Sequence, residues 1–241
     1  YYTDTRPFLI EFDPTDQIVA SGDAFCDSVE LSANSDFDSY EWKDNAGNVL
    51  STSKSFWINA SETVELDASV TKSDGTTCDL ASGAVGITIN NTPQITLTNN
   101  SGSTDYDGTN AITLTAGSTG SNTTYEWSTG ATTNAISVTS EALYQVVGTE
   151  NGCSDSVSLR IYEPVFVDDD GSDSNGDGSL SNPYATFSKG YSEVSEGGKI
   201  YVLPGTYEEE LTITKAVSIM SNYVRLGDTS AIANTIIEAD N

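Results

Sequence analysis

A repeated strand pattern is the feature of this sequence that most limits the folds it can adopt. Residues 39–42, Ser-Tyr-Glu-Trp, recur 85 residues later as Thr-Tyr-Glu-Trp at 124–127. Each copy follows a segment in which apolar and polar residues alternate, at 29–33 and at 112–116. Alternation with a period of two is typical of a strand with one buried face. The sequence therefore predicts two copies of one antiparallel β-sandwich, with Trp42 and Trp127 in the cores.

The charge and the histidine content exclude several classes of function. Nine Lys and Arg against 36 Asp and Glu give a net charge of −27, which repels nucleic acid and anionic membrane surfaces. The chain has no histidine, so histidine general bases, His-containing catalytic triads and His-ligated metals are excluded. The composition therefore predicts no nucleic-acid partner. Because no apolar run approaches the roughly 18 to 20 residues needed to span a bilayer, we also expect no insertion into a membrane.

The cysteines and the apolar content indicate a folded, extracellular protein. The hydrophobic share of 37% is too high for a disordered acidic chain. Three cysteines in a sequence rich in Ser, Thr, Asn and Asp are typical of an oxidising compartment. We therefore expect a secreted or cell-surface location.

Two short proline-containing segments divide the chain. Pro93 follows the first copy of the repeat and Pro164 follows the second. The predicted domains are residues 1–90, 91–163 and 164–241. Short linkers that contain proline restrict the motion of neighbouring domains, which favours a rod.

The third segment has a different pattern. Asn182 and Pro183 predict the N-cap and first turn of a helix, which Gly197 and Gly198 would end. Short apolar runs follow at 200–203, 211–213, 217–220 and 235–237, without the spacing of hairpins. This pattern favours successive turns of a solenoid.

The first two segments share a set of distinctive residues: Tyr40 and Trp42 with two flanking cysteines, the Trp-Ser-Thr-Gly-Ala-Thr-Thr run at 127–133, and Asn-Gly-Cys at 151–153. In these residues the two segments resemble immunoglobulin-like (PKD-like) modules of large secreted and surface proteins of Bacteroidota. The likeness covers about residues 8–162. It implies a disulfide between Cys26 and Cys78. Cys153 has no partner in its own module and is interpreted as a small buried residue, with an intermolecular bridge as the alternative.

The third segment contains three distinctive runs: the polar run at 171–179, Asn-Pro-Tyr-Ala-Thr at 182–186 and Ile-Tyr-Val-Leu-Pro-Gly-Thr-Tyr at 200–207. In these runs it resembles the start of a right-handed parallel β-helix of the pectate-lyase-like type. The expected fold class is all-β: two immunoglobulin-like β-sandwiches, then the N-terminal cap helix and the first coils of a β-helix. Because such solenoids need several coils, we expect the polypeptide to continue beyond Asn241 or to dock there on a partner.

The polar run also predicts a calcium site. Asp173, Asn175 and Asp177 have the alternate spacing of the first half of a calcium-binding loop. The acid that closes such a loop is replaced by Tyr184, so Asp168, Asp169 or Asp170 would supply the missing oxygens. The alternative is a solvated acidic turn, which is also the interpretation of the three glutamates at 208–210.

Two serines match a glycosylation pattern. Asp-Ser-Val at 27–29 and at 155–157 resembles the acceptor for O-glycosylation in Bacteroidota, which would place glycans on Ser28 and Ser156.

These features predict a non-enzymatic structural or adhesive segment of a large surface or filament-forming protein. Its partners would be other copies, further domains of the same long protein, or surface glycans. One alternative is the N-terminal portion of a secreted polysaccharide lyase or hydrolase whose active site lies beyond residue 241. Another is a carbohydrate-binding module.

Overall fold

The computed structural model describes the backbone of residues 18–20 and residues 25–238. The rest of the chain, including the first 17 residues of the predicted domain 1–90, lies outside the described residues. Backbone contacts divide the chain into two units. The first runs up to Gln94 and includes Thr149–Asp155; the second comprises Ile95–Gly148 and Ser156 onward. The boundaries at 90 and 163 stay a prediction.

The first repeat forms an immunoglobulin-like β-sandwich. One sheet has the order β1-β3-β6, and the other has the order β5-β4-β7-β8 with β9 also paired to β7. This division of strands between two sheets is that of immunoglobulin modules. The strands are β1 Ile18–Ala20, β2 Phe25–Cys26, β3 Val29–Ala33, β4 Ser39–Asp44, β5 Val49–Ser51, β6 Ser55–Ile58, β7 Glu62–Thr71, β8 Thr77–Ala81, β9 Val85–Ile87 and β10 Ile89–Asn90.

The predicted alternation produces the core of this sandwich. Val29, Leu31 and Ala33 of β3 are buried, and they pack with Trp42, which has no exposed surface. The indole Nε1 of Trp42 donates to the backbone oxygen of Ser53 at 2.7 Å, so the buried polar atom has a partner.

The second repeat forms a sandwich with the same division of strands. Its sheets have the orders β11-β12-β14 and β13-β15-β16. Trp127 lies in the core, and its Nε1 donates to the Thr133 oxygen at 2.8 Å. The strands are β11 Ile95–Asn99, β12 Ile112–Ser118, β13 Thr124–Trp127, β14 Ala135–Val138, β15 Ala142–Glu150 and β16 Cys153–Ile161.

Every pairing between named strands of the third segment is parallel in the part of the chain that the structure describes. β18 lies between β17 and β20, and β19 pairs with β21. A buried cluster that includes Val167, Phe187, Ile200 and Tyr207 fills the space between these strands and the first helix. The elements are β17 Val165–Val167, α1 Phe187–Glu193, β18 Lys199–Val202, β19 Gly205–Glu208, β20 Ser218–Ser221, α2 Tyr223–Leu226, α3 Ser230–Ala233 and β21 Thr235–Glu238.

The predicted start of the helix is wrong. Helix α1 begins at Phe187 and its N-cap is Thr186, whose Oγ1 accepts from the Lys189 backbone N–H at 3.1 Å. Asn182 belongs to a tight turn, in which its backbone oxygen accepts from Asp177 and Gly178. Asn and Pro are favoured in turns as well as at helix starts, so the dipeptide alone did not distinguish the two.

No helix among the described residues has both the length and the apolar composition needed to cross a bilayer.

Candidate functional site

The predicted Cys26–Cys78 disulfide is wrong: Cys26 is bonded to Cys153, and Cys78 is a half-buried free thiol. In an immunoglobulin module the conserved disulfide links the two sheets. One of its cysteines lies on the strand that pairs with the strand carrying the tryptophan. Here that neighbour of β4 is β7, whereas Cys78 lies one strand further along, in β8. Cys26 precedes β3 and lies in β2, beside Asn90 of β10.

Local backbone geometry positions both bonded cysteines. Asn151 and Gly152 have φ values of 50° and 82°, which form the tight turn before Cys153. Asp27 has a φ of 64°, which reverses the chain between Cys26 and β3. The alternation of β3, continued back to Cys26, turns this cysteine away from the first core, in agreement with a partner outside that core.

Polar contacts surround the disulfide. The Asp27 backbone N–H donates to the Asn90 oxygen at 2.8 Å, and the Asp27 carboxylate accepts from the Thr92 backbone N–H at 2.8 Å. The bond from Thr92 holds the pKa of Asp27 below its usual value. Asn90 Nδ2 donates to the Asn151 oxygen at 3.1 Å. Asn90 at the end of β10 and Thr92 just after it are therefore attached to Asp27, and Asn90 is also attached to the turn before Cys153.

The disulfide closes a covalent loop over most of both repeats. Its two residues are 127 positions apart in the sequence, with Cα atoms separated by 5.6 Å. A force applied to the two chain ends passes from Cys26 through the sulfurs to Cys153. The residues between them do not carry that force while the bond is intact.

A second set of contacts connects the second repeat to the third segment, within the second unit. Lys199 Nζ, at the start of β18, lies 2.6 Å from Asp105 Oδ2, and the Asp105 side chain is only 12% exposed. The Tyr201 hydroxyl donates to the same oxygen at 3.4 Å. Burial and then the Asp105 charge raise the pKa of Tyr201, so this hydroxyl stays a donor. Asp105 is thus held by a charged donor and a neutral donor from one strand.

Glu141 makes a further connection in this unit. Its carboxylate accepts from the Ser195 hydroxyl, from Arg160 at 3.1 Å and from the Glu163 backbone N–H at 3.2 Å. Burial raises the pKa of Glu141, but the bonds from Ser195, Glu163 and Arg160 outweigh it and hold the pKa below its usual value. Glu141 therefore fixes the segment just before Pro164 through its ionised form.

Removing the Lys199 charge is expected to destabilise the second unit. Lys199→Gln leaves the Asp105 carboxylate largely buried without its cation, which costs about 1–3 kcal/mol of unfolding free energy. Lys189→Gln is the matched control, because Lys189 pairs with Glu193 on an exposed helix surface and such a pair contributes about 0.3–0.5 kcal/mol. Urea unfolding measures both variants. Equal losses would contradict the role of Asp105 and Lys199.

Acidification is expected to weaken the Glu141 contacts. A carboxylate with a lowered pKa in the folded state contributes stability above its unfolded pKa, about 4.3, and loses it as the pH falls through the folded value. Glu141→Gln should therefore be less stable than the native chain at pH 7, and the difference should shrink below about pH 4.3. Urea unfolding across pH 3–7 gives this difference, and a constant gap would contradict it.

The structure brings together only part of the predicted calcium site. Carboxylate oxygens of Asp168, Asp169 and Asp170 lie within 4.8 Å of one another, the only such group in the part of the chain that the structure describes. Oxygens within that distance could share a cation. Asp169 also accepts from the Thr206 backbone N–H at 2.9 Å. Asp173 and Asp177 lie outside the group, so calcium binding by the predicted set stays a prediction.

The remaining predicted ligands take part in turns and caps. The Asp173 carboxylate accepts from the backbone N–H groups of Ala185 and Thr186, at 2.8 and 3.0 Å, and from the Thr186 hydroxyl. Asp177 accepts from the Ser179 backbone N–H at 2.9 Å, and its bonds to Ser179 lower the pKa of Asp177. Asn175 accepts through its backbone oxygen from Asn182 Nδ2 at 3.0 Å.

The three glutamates at 208–210 were predicted to form a solvated turn, but one of them, Glu209, makes hydrogen bonds with the helix. The Glu209 carboxylate accepts from the backbone N–H groups of Phe187 and Ser188, at 2.7 and 3.1 Å. Glu209 thus supplies acceptors for the first turn of α1, while Asp173 accepts from the N-cap Thr186 and from the residue before it. Both carboxylates come from distant loops, so a local sequence pattern did not reveal them.

Loss of the Asp173 carboxylate is expected to destabilise the third segment without any metal. Asp173→Ala leaves two backbone N–H groups without acceptors and should cost about 1–2 kcal/mol. Asp173→Asn keeps one acceptor oxygen and should cost less. Thermal unfolding in EDTA compares the two variants, and an unchanged melting temperature in Asp173→Ala would contradict the capping role.

Both predicted glycosylation serines are exposed. Ser28 follows the reversal at Asp27, and Ser156 lies in β16, where Gln145 Nε2 is 3.4 Å from its hydroxyl. Exposure permits modification but does not select it, so glycans at these positions stay a prediction.

Comparison with known proteins leaves the family open. No family model and no curated protein matches the chain. Among solved structures, fibronectin(III)-like modules of CbhA from Clostridium thermocellum are 12% identical, covering 61% of this chain and 93% of theirs, with a TM-score of 0.34. An amphioxus IgVJ-C2 molecule is 13% identical, covering 58% and 98%, with a TM-score of 0.28. A structure of the mouse coronavirus receptor-binding domain complexed with its murine receptor is 12% identical, covering 61% and 98%, with a TM-score of 0.29.

Proposed function

We propose that this chain is a non-enzymatic, extracellular structural segment of a larger surface or filament-forming protein, in which it acts as a stiff spacer. The observation that carries the proposal is the Cys26–Cys153 disulfide, because it removes most of both sandwiches from the path of an applied force. Spacers between a surface and a distant contact are loaded along the chain, so a covalent bypass of this kind suits such a role.

The contacts of Asp105 and Glu141 support the same role. They attach the second repeat to the third segment through carboxylates that are partly withdrawn from water: Asp105 pairs with Lys199, and Glu141 accepts from the Ser195 hydroxyl. Pairs of this kind depend on a defined geometry, since separating the partners leaves a desolvated charge behind.

The parallel strands support a finer proposal for the third segment. The pairs β17–β18, β18–β20 and β19–β21 have the direction that coils of a parallel β-helix require. We propose that the segment is the start of such a helix and that other copies or further domains of the same protein are its partners.

Labelling of intact source cells tests the proposed location. A membrane-impermeant biotin reagent should label the protein on intact cells, and a maleimide should reach Cys26 and Cys153 only after denaturation and reduction. Two results together would contradict an extracellular spacer. The protein on intact cells would escape the surface reagent, and Cys26 and Cys153 would react with maleimide without reduction.

A further inference from the structure

An exposed tryptophan lies beside a carboxylate on the first sandwich. Trp57 is 64% exposed, whereas Trp42 and Trp127 are buried. It lies in β6 directly opposite Glu30 of β3. The neighbouring positions of the two strands, Leu31 and Phe56, point to the core, where Phe56 packs on Trp42. Trp57 and Glu30 therefore share the outer face of the sheet, with Cβ atoms about 5 Å apart.

The carboxylate of this pair is oriented but not neutralised. The Ser55 hydroxyl donates to Glu30 Oε1 at 2.9 Å. Within the described residues, Glu30 takes part in no ion pair. The nearby Lys54 is paired with Asp36 instead. The charge of Glu30 thus has no cation among the described residues, on the same sheet face as the indole ring.

We propose that Trp57 and Glu30 form a binding site for an arginine or lysine side chain of a basic protein partner. The face of an indole ring attracts a cation, and the attraction grows when water is excluded. The carboxylate adds a charged hydrogen bond, which a planar guanidinium satisfies best. The net charge of −27 favours encounter with a basic partner.

The edge of the sheet gives such a partner a place to lie. Among the described strands, β6 is paired on one side only, with β3. An extended segment that added to this edge would present every second side chain to the outer face. A neutral sugar could stack on Trp57, but a single ring on an open face gives it no enclosing walls and does not use the charge of Glu30. The site does not depend on the proposed spacer role.

A labelled peptide measures the site directly. The probe is a six-residue peptide of alternating arginine and glycine, with fluorescence anisotropy as the readout. A peptide with citrulline in place of arginine keeps the planar group without the charge, and cellohexaose and xylohexaose represent glycans. Because the other two tryptophans are buried, binding should also change the intrinsic fluorescence of Trp57.

We expect the arginine peptide to bind and the citrulline peptide to bind at least about 10-fold more weakly. Trp57→Ala and Glu30→Gln should each raise the Kd about 3- to 10-fold, with Trp57→Phe intermediate. Glu65→Gln removes the same charge from an exposed position in β7 and should leave the Kd unchanged. Emission from buried Trp42 and Trp127 verifies that the variants are folded.

Three results would overturn the proposal. The first is the absence of binding by the arginine peptide. The second is equal binding to the native chain, Trp57→Ala and Glu65→Gln, which would show attraction to the overall charge alone. The third is displacement or quenching at Trp57 by an oligosaccharide without binding of the arginine peptide, which would assign the face to glycans.

Discussion

Reducing the Cys26–Cys153 bond while the chain is held by its two ends is expected to lengthen the fully extended chain by about 440 Å. The value follows from the 127-residue separation of the two cysteines and an extended length of about 3.5 Å per residue. Without reductant, only residues outside the loop can extend, because the force passes through the sulfurs. Single-molecule pulling with handles at both ends, with and without a thiol reductant, measures the difference.

The control for this experiment is Cys78→Ser. Cys78 is a free thiol, so its replacement should leave the gain on reduction unchanged. Cys153→Ser should give the full length without any reductant. A native chain that extends equally in both conditions would contradict the proposed path of force.

The second large effect is on equilibrium stability. The double variant Cys26→Ser, Cys153→Ser should lose about 5 kcal/mol of unfolding free energy, because a cross-link over a loop of this length removes much of the entropy of the unfolded chain. Guanidinium unfolding under non-reducing conditions measures the loss. Cys78→Ser, half-buried and unpaired, should lose less than about 1 kcal/mol. Similar losses in the two variants would contradict a stabilising bond between Cys26 and Cys153.

Short-range patterns explain why the strands could be predicted. The alternation at 29–33 and 112–116 and the position of each tryptophan follow from burial of one strand face, which is a local property. The structure confirms these buried faces and the predominance of strands. Parallel pairing of the last strands was also suggested by the lack of hairpin spacing.

Contacts between distant residues account for what the sequence did not predict. Cys26 lies beside a tight turn at Asp27, and Cys153 lies beside one at Asn151. Of these two turns, only the second could be recognised in the sequence, from its Asn-Gly dipeptide. The resemblance to immunoglobulin modules favoured a bridge within one module and so selected Cys78. The immunoglobulin pattern contains no disulfide between a cysteine of one repeat and a cysteine of the next.

The charged contacts were missed for the same reason. Asp105 and Lys199 are 94 residues apart, and Glu141 and Ser195 are 54 apart, so neither pair gives a periodic signal. Among 36 acidic residues, nothing in the sequence distinguishes these carboxylates from solvated ones. The polar run at 168–177 did stand out, but spacing alone did not separate metal ligands from acceptors for backbone N–H groups.

Peptide mapping of the non-reduced protein tests most directly whether force bypasses the two sandwiches. Proteolysis with alkylation of free thiols, followed by mass spectrometry, should give one peptide that links Cys26 to Cys153 and a separate peptide with alkylated Cys78. A peptide that links Cys26 to Cys78, or alkylation of all three cysteines in protein from its native source, would contradict the proposed path of force through the disulfide.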